Sequence, residues 1–121
     1  MVKNDKVEFI EMMRMRTKGL GLEAIRIHRS IPKTEEGRII GRQFLRSALS
    51  VGANYRAVCR ARSKAEFFSK LSITVEEMDE TLFWLEILTD AEIVPKGKFS
   101  TFETEGKEMI AILSSARKNT K

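Results

Sequence analysis

Apolar positions recur along this chain at intervals of three and four in four separate stretches, and none alternates with period two for long enough to make a strand. The first stretch runs from about Val7 to Arg29 and places Phe9, Met13, Leu20, Ala24 and Ile27 on one face. Gly19 and Gly21 interrupt it; each weakens a helix by about 1 kcal/mol relative to Ala, and together they mark a place for a kink. Ser30-Ile31-Pro32-Lys33-Thr34 breaks the pattern, and Pro32 suits a turn or the first position of a helix. The second stretch, about 33–60, carries the stripe Ile40, Phe44, Ala48, Val51, Tyr55 and Val58. Gly41 and Gly52 lie on the edge of that stripe, where a neighbouring helix can come close.

Ser63-Lys64-Ala65-Glu66 has the form of a capping box and opens a third helix over 64–90, with Phe67, Leu71, Val75, Met78, Leu82 and Leu85 facing inward. Pro95 and Gly97 punctuate the next break. Ser100-Thr101-Phe102-Glu103 repeats the capping-box form and opens a fourth helix over 100–118, with Phe102, Met109, Leu113 and Ala116 inward. Four amphipathic helices joined by short loops, without an internal repeat, predict an all-α fold: one antiparallel up-and-down four-helix bundle spanning residues 1–121.

Composition agrees with a packed domain: 42% of the 121 residues are hydrophobic and 32% charged. No apolar run is long enough for a transmembrane helix. The N-terminal segment is interrupted by Glu11, Arg14 and Arg16, unlike a signal peptide. A single cysteine, Cys59, forms no internal disulfide, so a cytoplasmic location is the expectation. Cys59 falls on the apolar side of the second helix and reads as a packing residue.

The net charge of +5 is unevenly spread. Residues 31–62 hold seven Lys and Arg against two acids, and residues 63–93 hold two against eight. At about 100° per residue, Arg38, Arg42, Arg46, Arg56 and Arg60 share an arc of about 80° opposite the apolar stripe, with Arg62 just beyond the helix end. Guanidinium groups are permanently charged forks of donors suited to phosphate or carboxylate. Three readings stand side by side: a solvated face paired with acids elsewhere in the chain, a subunit contact, and a ridge that binds the RNA or DNA backbone. No aromatic residue interleaves the stripe, so bases have nothing there to stack on.

The third helix has a second apolar face: Ile73, Phe83, Trp84 and Ile87 lie away from the core stripe, mixed with Glu76, Glu77 and Glu80. This face reads either as a partner surface or as a broad core contact with two neighbours. As a partner surface, its acids would meet the arginines of another copy, and such a heterologous contact closes into a ring.

Catalytic chemistry is not apparent. His28 and Cys59 are the sole residues of their kinds, too few for zinc or for a carboxylate–histidine di-metal site. Ser47 and Ser50 have no histidine base, and no phosphate-binding glycine loop occurs. The chain is expected to be a non-enzymatic protein with no metal and no cofactor.

The stretch Gln43-Phe44-Leu45-Arg46-Ser47-Ala48-Leu49-Ser50-Val51-Gly52-Ala53-Asn54-Tyr55-Arg56-Ala57 resembles the central motif of the four helix bundle family, also called 23S rRNA intervening-sequence proteins. Arg60-Ala61-Arg62-Ser63-Lys64-Ala65-Glu66-Phe67 is similar to that family's Arg-x-Ser-x-x-Glu-Phe turn, and Glu80-Thr81-Leu82-Phe83-Trp84-Leu85-Glu86 to its Glu-rich third helix. The resemblance places Arg46, Asn54, Arg62, Ser63 and Glu66 at motif positions. It implies an antiparallel bundle assembling as a homo-oligomer, pentameric in known members. It also implies a partner among nucleic acids or nucleic-acid-handling proteins, as in the related accessory protein of diversity-generating retroelements. Asn54-Tyr55-Arg56-Ala57-Val58 departs from the family's Asn-Ile-Ala-Glu-Gly by lacking the acid–glycine pair.

Overall fold

The structure, a computed structural model, describes residues 5–120; residues 1–4, on which part of the N-terminal reading rests, and residue 121 lie outside it. Four α-helices follow one another: α1 (Asp5–Ser30), α2 (Glu35–Cys59), α3 (Lys64–Asp90) and α4 (Ser100–Lys118), with no strand among the described residues. Sequential helices are spatial neighbours. α2 packs most extensively against α3, α1 rests on α2, α4 rests on α3, and α1 and α4 touch only lightly to close the ring. This is the up-and-down bundle that the periodicity predicts.

The core is built from the expected stripes. Met13, Phe44, Met78, Met109 and Leu113 have no exposed surface, and Leu20, Ala24, Ile27, Ala48, Val51, Leu71 and Leu85 are equally buried among them. The Phe44 and Phe102 rings meet with centroids 5.6 Å apart, joining the diagonal helices α2 and α4 through the centre. Thr17, Ser47, Thr74 and Thr81 are the buried polar residues. Each hydroxyl donates to a carbonyl one turn back, at 2.8 Å for Thr17 to Met13, 3.0 Å for Ser47 to Gln43, 2.9 Å for Thr74 to Lys70 and 2.7 Å for Thr81 to Glu77. Ser47 Oγ and Thr81 Oγ1 also lie 3.1 Å apart across the α2–α3 contact.

Helix ends depart from expectation in instructive ways. α1 runs unbroken through Gly19 and Gly21. Gly21 is buried, and a Cβ there would sit 3.3 Å from the Leu49 side chain. The second helix starts at Glu35 rather than near residue 33, because Thr34 takes the N-cap role and accepts from the Gly37 amide at 3.1 Å. Pro32 stays in the turn, its carbonyl so near Gly37 that a Cβ there would lie at 2.3 Å. Ser63 caps α3 as predicted, accepting from the Glu66 amide at 3.0 Å. The second capping box does not form. Lys98 and Ser100 donate to the Pro95 and Gly97 carbonyls, so the chain is already coiled when it reaches Ser100, and the cap falls on Phe99 without a side-chain bond.

The C-terminus of α3 is a Schellman motif. The Ile93 amide donates to the Leu88 carbonyl at 2.9 Å and the Glu92 amide to the Thr89 carbonyl at 3.0 Å, with Glu92 held at a φ of 60°. Gly41 and Gly52 mark close approaches, as their place on the stripe suggests. A Cβ at Gly41 would meet Ile31 at 3.2 Å, and one at Gly52 would meet the Thr17 carbonyl oxygen at 3.4 Å. Cys59 is exposed, contrary to its reading as a packing residue: it is the last residue of α2, where the chain turns towards α3.

Candidate nucleic-acid interface

Of the five stripe arginines and Arg62 just beyond them, one is tied down and five are not. Arg46 is held on the α3 side. Its Nη2 donates to Glu80, its Nη1 lies 3.7 Å from Glu77 Oε2, and its Nε lies 3.4 Å from Gln43 Oε1. Trp84 Nε1 donates to the same Glu80 oxygen at 3.2 Å, so Glu80 gathers an indole and a guanidinium from two helices. Arg38, Arg42, Arg56, Arg60 and Arg62 are exposed, and none makes an ion pair with any described residue. From Arg38 to Arg60 they run about 33 Å along α2 at 1.5 Å per residue.

Glu77 is the unusual acid. Its Oε2 is buried and makes no hydrogen bond among the described residues. Burial pushes its carboxyl above the usual carboxylate range, Arg46 opposes that shift, and the like charges of Glu80 and Glu76 add to it. Tyr55, buried near the C-terminal end of α2, is raised well above the usual phenol range, chiefly by burial.

On the third helix, Glu77 and Glu80 meet Arg46 of their own chain, because α2 and α3 lie side by side with Arg46 turned to that seam. Trp84, Ile73 and Ile87 are partly buried, and Trp84 packs against the core cluster. Phe83 remains 49% exposed, its ring 5.0 Å from that of Trp84 in an edge-on contact. Glu76 and Glu86 are exposed near it on α3.

The motif residues mostly shape the α2–turn–α3 unit. Asn54 Nδ2 donates to the Ser50 carbonyl at 2.8 Å, Ser63 caps α3, Glu66 is half-buried in the first turn, and Arg46 ties α2 to α3. Arg62 is exposed and makes no ion pair with a described residue. One ionic cluster escaped sequence reasoning: Arg16 of α1 bridges Glu105 at 2.7 Å and Glu108 at 3.2 Å on α4. The spacing of Glu105 and Glu108 puts both on one helix face, but nothing in it names the partner.

An all-α bundle with an arginine-rich helix on its surface, and a tight polar seam between that helix and the next, defines the class. The family model of the 23S rRNA-intervening sequence protein matches residues 12–115, and the chain belongs to that family. A crystal structure of a protein of unknown function from the S23 ribosomal protein family of Bacteroides thetaiotaomicron is similar. It shares 25% sequence identity with a TM-score of 0.84, over 91% of this chain and 98% of that one. No protein of curated function matches the chain.

Proposed function

We propose that this protein is a non-enzymatic, self-associating bundle that holds the phosphate backbone of RNA or DNA along α2. The supporting observation is the line of five exposed arginines without acidic partners among the described residues, Arg38, Arg42, Arg56, Arg60 and Arg62. Phosphate contacts of this kind carry little sequence information, because they read charge and spacing rather than base edges. Phe83, half-exposed on a helix that also exposes Glu76 and Glu86, supports contact between copies.

The test is a titration of labelled duplex and single-stranded RNA and DNA at several salt concentrations. Five phosphate contacts give a slope of log K against log salt of about −4 to −5 on duplex DNA, and replacing Arg38 and Arg42 by Gln reduces its magnitude by about 2. Absence of binding at low salt, or binding indifferent to salt, overturns the reading. A pure protein scaffold is the second reading, favoured by Phe83: Phe83→Ala then lowers the mass in solution by light scattering, and no oligonucleotide binds.

A further inference from the structure

We infer that the groove between α1 and α2 is a docking site for an acidic, amphipathic helix of a partner protein. α1 packs on α2 and touches α4 only lightly, and its outer side adjoins a trough along α2. Met15, Leu22, Ile25 and Leu49 form the apolar walls. Met15 is 74% exposed, Leu22 48% and Leu49 45%. Gly21, Gly52, Ala53 and Ala57 lie between them. The two glycines let α1 and α2 come close at the floor, and the short side chains of Ala53 and Ala57 leave the trough above them open.

The rims are charged. Arg14 and Lys18, one turn apart, line the groove from α1, and Arg56 and Arg60, also one turn apart, line it from α2. One acid, Glu11, shares the lining, and it already holds Arg14 at 3.4 Å. Two cationic rails beside an apolar trough complement a helix with an apolar stripe flanked by carboxylates. Methionine and leucine suit that stripe, since they repack around a range of side chains.

Other occupants fit less well. Tyr55, the aromatic residue of the lining, is 2% exposed, so nucleobases find no ring to stack on. The chain's own α3 carries acids, but Ile73, Trp84 and Ile87 are partly buried in its own bundle, leaving Phe68 and Phe83 as the exposed large apolar groups of that helix. These two rings stand about 22 Å apart along the helix at 1.5 Å per residue, too far apart to form the continuous stripe that the trough calls for. The surface extends beyond the proposed phosphate ridge, which shares only Arg56 and Arg60 with it.

The probe is a fluorescent synthetic helix of about 18 residues, five turns, with leucine at positions i, i+3, i+4 and i+7 flanked by glutamate. Its control is a scrambled peptide of the same composition. In anisotropy titrations the patterned peptide binds about tenfold tighter than the scrambled one. Met15→Glu and Leu49→Glu each weaken it about tenfold with the thermal midpoint unchanged, because both side chains are exposed. Both variants keep the salt-dependent binding of oligonucleotides, which separates failure here from failure of the phosphate reading. Equal binding of the two peptides, no binding of either, or variants that bind like the parent overturn the proposal. So does a Met15→Glu variant that lowers the solution mass or abolishes oligonucleotide binding without affecting the peptide, since the groove then belongs to a second copy or to nucleic acid.

Discussion

Two glycines with the same helical periodicity have opposite roles in this bundle. Gly19 sits in the middle of α1 with nothing within 4 Å of where a Cβ would be. Alanine there loses less backbone entropy on folding, and Gly19→Ala is expected to stabilise by about 1 kcal/mol. Gly37 lies in the first turn of α2, where a Cβ would collide with the Pro32 carbonyl oxygen. Gly37→Ala must push the turn and the Thr34 cap apart, and is expected to cost about 1–3 kcal/mol. Urea unfolding of the two variants checks the opposite signs. A third backbone position runs against its residue type. Glu92 holds the left-handed conformation of the α3 Schellman motif at a φ of 60°, where glycine carries no Cβ penalty. Glu92→Gly is expected to gain about 1 kcal/mol, read from the same melts. A loss would mean that the Glu92 side chain does something there beyond turning the chain.

At the level of helices, periodicity and capping chemistry account for most of what is observed. α3 begins and ends where the Ser63 cap and its stripe place it. The misses have local physical causes. The Thr34 cap is visible only once the Pro32 turn is built, and Ser100 fails as a cap because the preceding turn already coils the chain. Side-chain pairing was less legible than helices, since a wheel gives the face of a residue but not its reach. On the wheel Arg46 is one of five arginines sharing an arc, yet it alone turns to the α3 seam. That seam yields a pH prediction. The folded state raises the Glu77 carboxyl above its unfolded value through burial, so the native protein binds that proton more tightly. Stability then rises as pH falls from neutral through the folded value of Glu77, and levels off below the unfolded value near 4.5. Glu77→Gln removes this dependence while Glu80 continues to hold Arg46. Thermal midpoints across that window test it: parent and variant should converge in slope only outside it, and parallel curves throughout would exclude Glu77 as the source.

For the whole molecule, the decisive asymmetry is how the ring of helices is closed. α2 and α3 form a broad, tightly packed pair, whereas α1 and α4 meet lightly, with Arg16 reaching from α1 to Glu105 and Glu108. Arg16 is 20% exposed, and its guanidinium is held charged by both acids against the cost of burial. Pairs this accessible contribute on the order of 1 kcal/mol or less to global stability, since water and salt compete for both partners. Their local effect is larger in consequence, because few other contacts hold that seam. Arg16→Ala is therefore expected to leave the global melt nearly in place, while amides of α4 and the facing turns of α1 exchange faster by about fivefold, the equivalent of about 1 kcal/mol. Amides of the α2–α3 pair should be unchanged. Arg16→Met, which keeps the aliphatic stem, separates lost packing from lost charge. If both variants accelerate exchange alike, the two acids are what close the bundle. If exchange rises uniformly through all four helices, the seam is no weaker than the rest, and the bundle unfolds as one unit.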